Sequence, residues 1–273
     1  MKGIASQSVA TMSGGAIGTA TRSLPEEVPV ALVAQGSTLA VMMCSPGDLE
    51  DFALGFCLSE AIVSDPGQIE TLEIVELEQG IEARLWLAPD RAGALSARRR
   101  FMAGPVGCGM CGIDSLEQAM RPLPEVAAGP LFGSDEVTGA AEALRRFQPL
   151  HDRARGLHAA GFLRPGQGPG AGIAAAREDV GRHNALDKLI GGMARAGADM
   201  KSGAVVLTSR VSVEMVQKCA LAGVPLIVAV SAPTSLALKL AQAAGITLVT
   251  MSGPAAIDVW CRPERITGGA DDI

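Results

Sequence analysis

The chain has 273 residues, 48% of them apolar, and 23 lysines and arginines against 29 aspartates and glutamates give a formal net charge of −6. That length provides one large domain or two modest ones with a real core, and the acidic balance argues against a surface built for nucleic-acid phosphates. With no tyrosine, two tryptophans and six phenylalanines, base-stacking platforms are not expected, and no apolar run reaches the roughly 18–20 residues that cross a membrane.

Residues 1–20 are rich in Gly, Ser, Ala and Thr without a continuous apolar stretch, which reads as a disordered tail and not as a signal peptide. An N-terminal α+β subdomain is expected over 21–100. It opens with strands at 28–33 and 38–43, joined by the hairpin-like Ala34-Gln35-Gly36-Ser37. Ser45-Pro46-Gly47-Asp48 then starts a helix, on which Phe52, Gly55, Phe56, Ser59 and Ala61 recur with helical spacing. A second hairpin is predicted at 69–77 and 81–87, and the basic run Arg98-Arg99-Arg100 follows as a solvated face or a contact for an acidic partner.

Next comes Gly107-Cys108-Gly109-Met110-Cys111-Gly112, two thiols three residues apart in a glycine-rich loop. Ser115 with Gln118, or Asp114 with Glu117, forms a capping box, so a helix begins just beyond Cys111. Its free N–H groups and positive end favour a thiolate. The other cysteines (44, 57, 219 and 261) are scattered singly, which fits a reducing cytoplasm, and Cys44, Cys57 and Cys219 read as small buried hydrophobes.

Residues 101–273 form the second predicted unit. A helix is expected at 136–147, then strands near 159–163 and 171–177 around the flexible loop 164–170. Residues 177–191 read as a densely polar helix start. His183 and Asp187 stand one turn apart, as do Asn184 and Lys188, and Arg182 and His183 are expected to line a site. Strands at 204–207, 225–230 and 246–250 alternate with helices that stop at Gly223 and Gly245. The pattern is α/β, with a parallel sheet covered on both faces. Ligands of such sheets sit beyond the carboxyl ends of strands. Thr208, Ser209 and Arg210, and then Ser231, Ala232, Pro233, Thr234 and Ser235, fall there as a candidate phosphate or nucleotide site.

A structural zinc site lacks a second ligand pair, and the zinc deaminase motif fails because Asn184 follows His183 and the thiols precede the histidine. A dithiol oxidoreductase and a persulfide carrier stay open on the thiol pair alone. The chain nevertheless resembles the FdhD/NarQ family of formate dehydrogenase accessory sulfurtransferases over 24–266. The resemblance rests on the segments at 24–30, 48–56, 108–112, 177–188, 208–212 and 231–234.

It implies a three-layer α/β/α cytidine-deaminase-like core with a smaller N-terminal β-rich subdomain and no metal ligands of its own. It also implies a cytoplasmic, homodimeric sulfur carrier with Cys108 as the persulfide position and Cys111 as its partner. Sulfur would come from a cysteine desulfurase and pass to the molybdenum bis-guanine-dinucleotide cofactor of formate dehydrogenase, with GDP as a mimic. Met251, Ser252, Gly253, Pro254, Ala255 and Ala256 map onto the family's cofactor-contacting segment, although Trp260 stands where the family usually has tyrosine. A non-catalytic chaperone of that cofactor is the alternative in another class.

Overall fold

The computed structural model of the protein describes residues 3–93, 95, 121–253 and 256–268. Its first element corrects the expected disordered tail. β1 (Ile4–Ser13) and β2 (Ala16–Pro25) form a ten-pair antiparallel hairpin. The turn is Gly14-Gly15, with φ of 55° and 82°, the left-handed pair that a two-residue hairpin needs and glycine supplies without a steric penalty. Composition alone misses it because the hairpin is almost wholly exposed and carries no apolar face.

The predicted strands follow as β3 (Val28–Ala34), β4 (Ser37–Cys44), β5 (Ile69–Leu77) and β6 (Gly80–Leu87), in the spatial order β4-β3-β6-β5. Between them α1 (Leu49–Ser59) lays Leu49, Phe52, Ala53 and Cys57 against Val30, Leu32, Ala83 and Leu85 of the sheet. Its N-cap Asp48 sits at φ 54° and makes no side-chain cap.

The second core is a six-stranded sheet of β8 (His158–Leu163), β9 (Ile173–Asp179), β10 (Ala204–Leu207), β11 (Leu226–Ala229), β12 (Thr247–Gly253) and β13 (Ala256–Cys261), ordered β13-β12-β11-β10-β8-β9. Its centre, β10 to β12, is parallel as expected, whereas β8, β9 and β13 run antiparallel to their neighbours, so the sheet is mixed. α2 (Ser134–Arg145) and the short α3 (Pro149–Arg153) precede β8, and β7 (Phe132–Gly133) pairs with β14 (Ile266–Thr267). Strand residues alternate between two faces. Val205, Leu207, Ile227, Ala229 and Leu248 pack under α4 (Arg182–Arg195), α5 (Val213–Leu221) and α6 (Ser235–Ala243). Ala204, Val206, Leu226 and Val228 pack under α2. The chain is therefore α/β, with helices on both faces of the sheet.

α5 and α6 stop where predicted, with Gly223 and Gly245 at φ 75° and the following N–H reaching back over the last turn, Val224 to Cys219 O (2.9 Å) and Ile246 to Ala241 O (2.9 Å). One boundary differs from the sequence reading. Arg177, Glu178 and Asp179 complete β9, because cross-strand pairing of His158 with Asp179 outweighs their helix propensity, and the helix begins only at Arg182.

The two cores meet where α1 crosses α4. A Cβ at Gly55 would lie 1.7 Å from the Asp187 carbonyl oxygen, and one at Gly191 would lie 1.9 Å from that of Asp51. The two backbones touch, which only glycine at both positions permits.

Candidate functional site

Five strands bring their ends to one edge. Leu207 pairs with Ala229 and with Ala160, Ala229 pairs with Thr250, and His158 pairs with Asp179. The ends of β9, β10, β11 and β12 and the start of β8 therefore lie side by side. At ~4.8 Å per strand, β9 to β12 spans about 19 Å, the length of an extended nucleotide and not of a single phosphate.

Along that edge the structure gathers the predicted loops. Thr208 Oγ1 accepts the Ala159 N–H (2.8 Å) and ties β10 to β8. Ser209 is buried and donates to the Arg210 carbonyl (3.0 Å), which turns the exposed Arg210 outward. The loop after β11 is pinned to the loop after β10 by the Thr234 N–H to Val211 O bond (3.0 Å) and a Val211–Pro233 bridge. Thr234 caps α6 by accepting from the Ala237 N–H (3.2 Å), while Ala232 and Ser235 stay exposed and Ser231 is half-buried. Met251 and Gly253 end β12, and with Asp135, Thr138 and Glu142 of α2 they line a cavity of about 500 Å³. Ala256 begins β13 opposite Gly253. Trp260 donates its indole N–H to Thr250 Oγ1 (2.7 Å), so this departure from the family pattern is absorbed within the sheet. Cys108, Cys111, Pro254 and Ala255 lie outside the described residues.

The polar run at 177–188 divides in two. Most of it is a buried lock that sequence patterning does not reveal. Lys188 Nζ meets Asp179 Oδ2 at 2.6 Å with both side chains fully buried, and it donates to Ser45 O (2.9 Å). Asp179 also accepts from the Ser45 N–H (2.9 Å) and from Asn184 Nδ2 (2.9 Å), and Asn184 donates further to Met43 O (2.7 Å). One turn on, Asp187 accepts from Ser59 Oγ (2.6 Å) and from Lys218 Nζ, whose ammonium also meets Glu60 (2.9 Å). Burial alone would lower the Lys218 pKa, but Asp187 and Glu60 outweigh it and hold the ammonium above its ordinary value. Arg177 and Arg195 clasp Asp51 of α1 (2.7 Å each). The missing signal was the charged partners at 51, 60 and 218, which stand on other helices far from 177–188 in sequence.

The remainder, Arg182 and His183, faces the ligand edge. The N-cap of α4 is Gly181, which has no side chain to cap it, and among the described residues Arg182 Nε and His183 Nε2 are buried without a hydrogen-bond partner. Against the effect of burial, the Ser212 hydroxyl at the start of α5 instead helps hold the Glu214 carboxyl below its ordinary pKa. Burial drives the His183 imidazole down to about 4, with Arg182 and Lys218 adding to it. Its 3.9 Å approach to Glu214 is thus a contact of a neutral ring at neutral pH and not an ion pair. Burial and Arg182 likewise lower His158, the first residue of β8. Arg182, with its unpartnered Nε–H, has the chemistry to accept an anion here, although the Glu214 carboxylate stands beside His183.

The described cysteines contribute nothing here. Cys44, Cys57, Cys219 and Cys261 are all buried, and burial raises each thiol, that of Cys57 up to about 12. None of the four can supply a thiolate near neutral pH.

Residues 25–267 match the family model described as the FdhD/NarQ family. A protein of Agrobacterium fabrum named sulfur carrier protein FdhD is 49% identical over 254 residues, 92% of each chain. One of the same name from Brucella abortus is 51% identical over 247 residues, 90% of each. Among solved structures, "Crystal structure of a putative formate dehydrogenase accessory protein from Desulfotalea psychrophila" superimposes with a TM-score of 0.74 at 27% identity, covering 97% of this chain and 99% of that one.

Proposed function

Because the chain belongs to the FdhD/NarQ family, we propose that it is a sulfur carrier serving formate dehydrogenase, with Cys108 holding the sulfur as a persulfide. The observation that carries this reading is the elimination of the other thiols. Four of the six cysteines are buried with raised thiol pKa values, which leaves the glycine-flanked pair Cys108 and Cys111 for nucleophilic sulfur chemistry.

In the proposed loading step the Cys108 thiolate attacks the terminal sulfur of a cysteine desulfurase persulfide, and the donor's thiolate leaves. Cys111, three residues further along the chain, would assist or resolve the product. The acceptor substrate is the bis-guanine-dinucleotide molybdenum cofactor. Its nucleotide ends would lie along the strand edge, with Arg182 and Arg210 toward phosphate and the hydroxyls of Ser231, Thr234 and Ser235 toward sugar or base. An edge of about 19 Å suits such an elongated ligand. His183, neutral at neutral pH, adds no repulsion to Arg182 and can donate or accept a hydrogen bond there.

Mass spectrometry after incubation with a desulfurase and cysteine tests the carrier role. The expected result is a gain of about 32 Da (one sulfur) on the wild type and none on Cys108→Ala. Equal labelling of the variant would refute the assignment. For the edge, Arg210→Ala should weaken GDP binding about ten-fold, the loss of one charge-assisted contact, by calorimetry.

A further inference from the structure

A groove beside this edge has no part in the reading above. It holds a cavity of about 410 Å³ at the turn end of the four-stranded sheet. Val28, Pro29, Pro46, Leu77 and Ile81 supply its apolar lining. Among the described lining residues the charged ones are Glu26, Glu76 and Glu78, and none is a lysine or arginine. Leu77 is 48% exposed at the hairpin tip, an uncovered large side chain inside a concave surface.

We infer that the groove docks a basic segment with an apolar anchor, carried by the protein that exchanges sulfur with this chain. The identity of that partner rests on the sulfur-carrier reading. The charges carry the first argument. Edge strands often bear charge simply to discourage aggregation, and β5 is an edge strand. That role calls for neither one sign nor a concave apolar floor, and both are present. Glu26 is fixed at the mouth, where its carboxylate accepts the Gly3 N–H (3.1 Å).

Position carries the second argument. Pro46 follows Ser45, whose N–H reaches Asp179 (2.9 Å) and whose Oγ accepts from the Val180 N–H (3.2 Å). Two residues on from Val180 stands Arg182 of the ligand edge. The Pro46 wall of the groove is thus joined through Ser45 to the turn that precedes Arg182 and His183, and complementary charge in the groove raises the rate of encounter.

The test uses the full-length protein and a fluorescein-labelled nonapeptide of alternating arginine and leucine, read by anisotropy. Saturable binding is expected, weakened about ten-fold by added salt and about ten-fold by E78K or E26K. E264K, on an exposed turn elsewhere, should leave it unchanged. Wild-type protein that fails to bind, that binds a glutamate–leucine peptide equally well, or that keeps its affinity in E78K overturns the groove. A shift of the oligomeric state by E78K also overturns it, since a second copy would then be the occupant. With the desulfurase as partner, E78K should raise the KM for the carrier about ten-fold at unchanged kcat. An unchanged KM overturns the partner assignment. Failure of the wild type to accept sulfur refutes the carrier reading separately, because peptide binding is read without any sulfur.

Discussion

Lys188 and Asp179 are both fully buried, and their pairing with Ser45 and Asn184 satisfies charges that hydrocarbon would not tolerate alone. Lys188→Met should leave Asp179 as an uncompensated buried charge and cost about 3–5 kcal/mol by urea denaturation. His183 titrates well below a surface histidine. Its folded pKa of about 4 lies below the ordinary 6.5, so the folded state binds fewer protons between those values. Its contribution to stability is present above pH 6.5 and is lost as pH falls toward 4. Asp187 opposes this, since burial pushes it up to about 6 and its effect on stability worsens as pH rises through the same window. A global acid curve would blend the two. The direct check is the imidazole titration by NMR, with a midpoint expected near 4 and not 6.5.

Among elements, α1 and α4 decide how the small sheet sits on the large one. A methyl group at Gly55 meets the Asp187 carbonyl and cannot be relieved by turning a side chain, so Gly55→Ala should cost about 3 kcal/mol or more. Gly47→Ala is the matched control. A Cβ there meets nothing within 4 Å, and stability should change by less than about 0.5 kcal/mol. The helical spacing of Phe52, Gly55 and Phe56 is visible along the chain, but the use of Gly55 as a crossing point is not. Nothing local distinguishes a glycine packed on a facing backbone from one that merely weakens a helix. The same holds at 177–179, where β9 forms because β8 offers it a partner.

For the whole molecule, the β1–β2 hairpin is an appendage. Among the described residues it touches the body where the Gly3 N–H meets Glu26 and where β2 packs on α3, and the family match begins only at residue 25. Deleting residues 1–24 should therefore shift the calorimetric unfolding midpoint by no more than about 2 °C. The sequence by itself determined the α/β alternation, the glycine helix stops, the strand-end loops and the family. Each of these is written in near neighbours, where hydrophobic period and turn chemistry act over a few residues. Only the tertiary structure decided that Asn184, Asp187 and Lys188 are a buried lock while Arg182 and His183 remain at the edge. Their partners Ser45, Ser59 and Lys218 stand from 31 to 143 residues away along the chain. Whether a polar side chain serves water, a ligand or the fold depends on what folding brings against it.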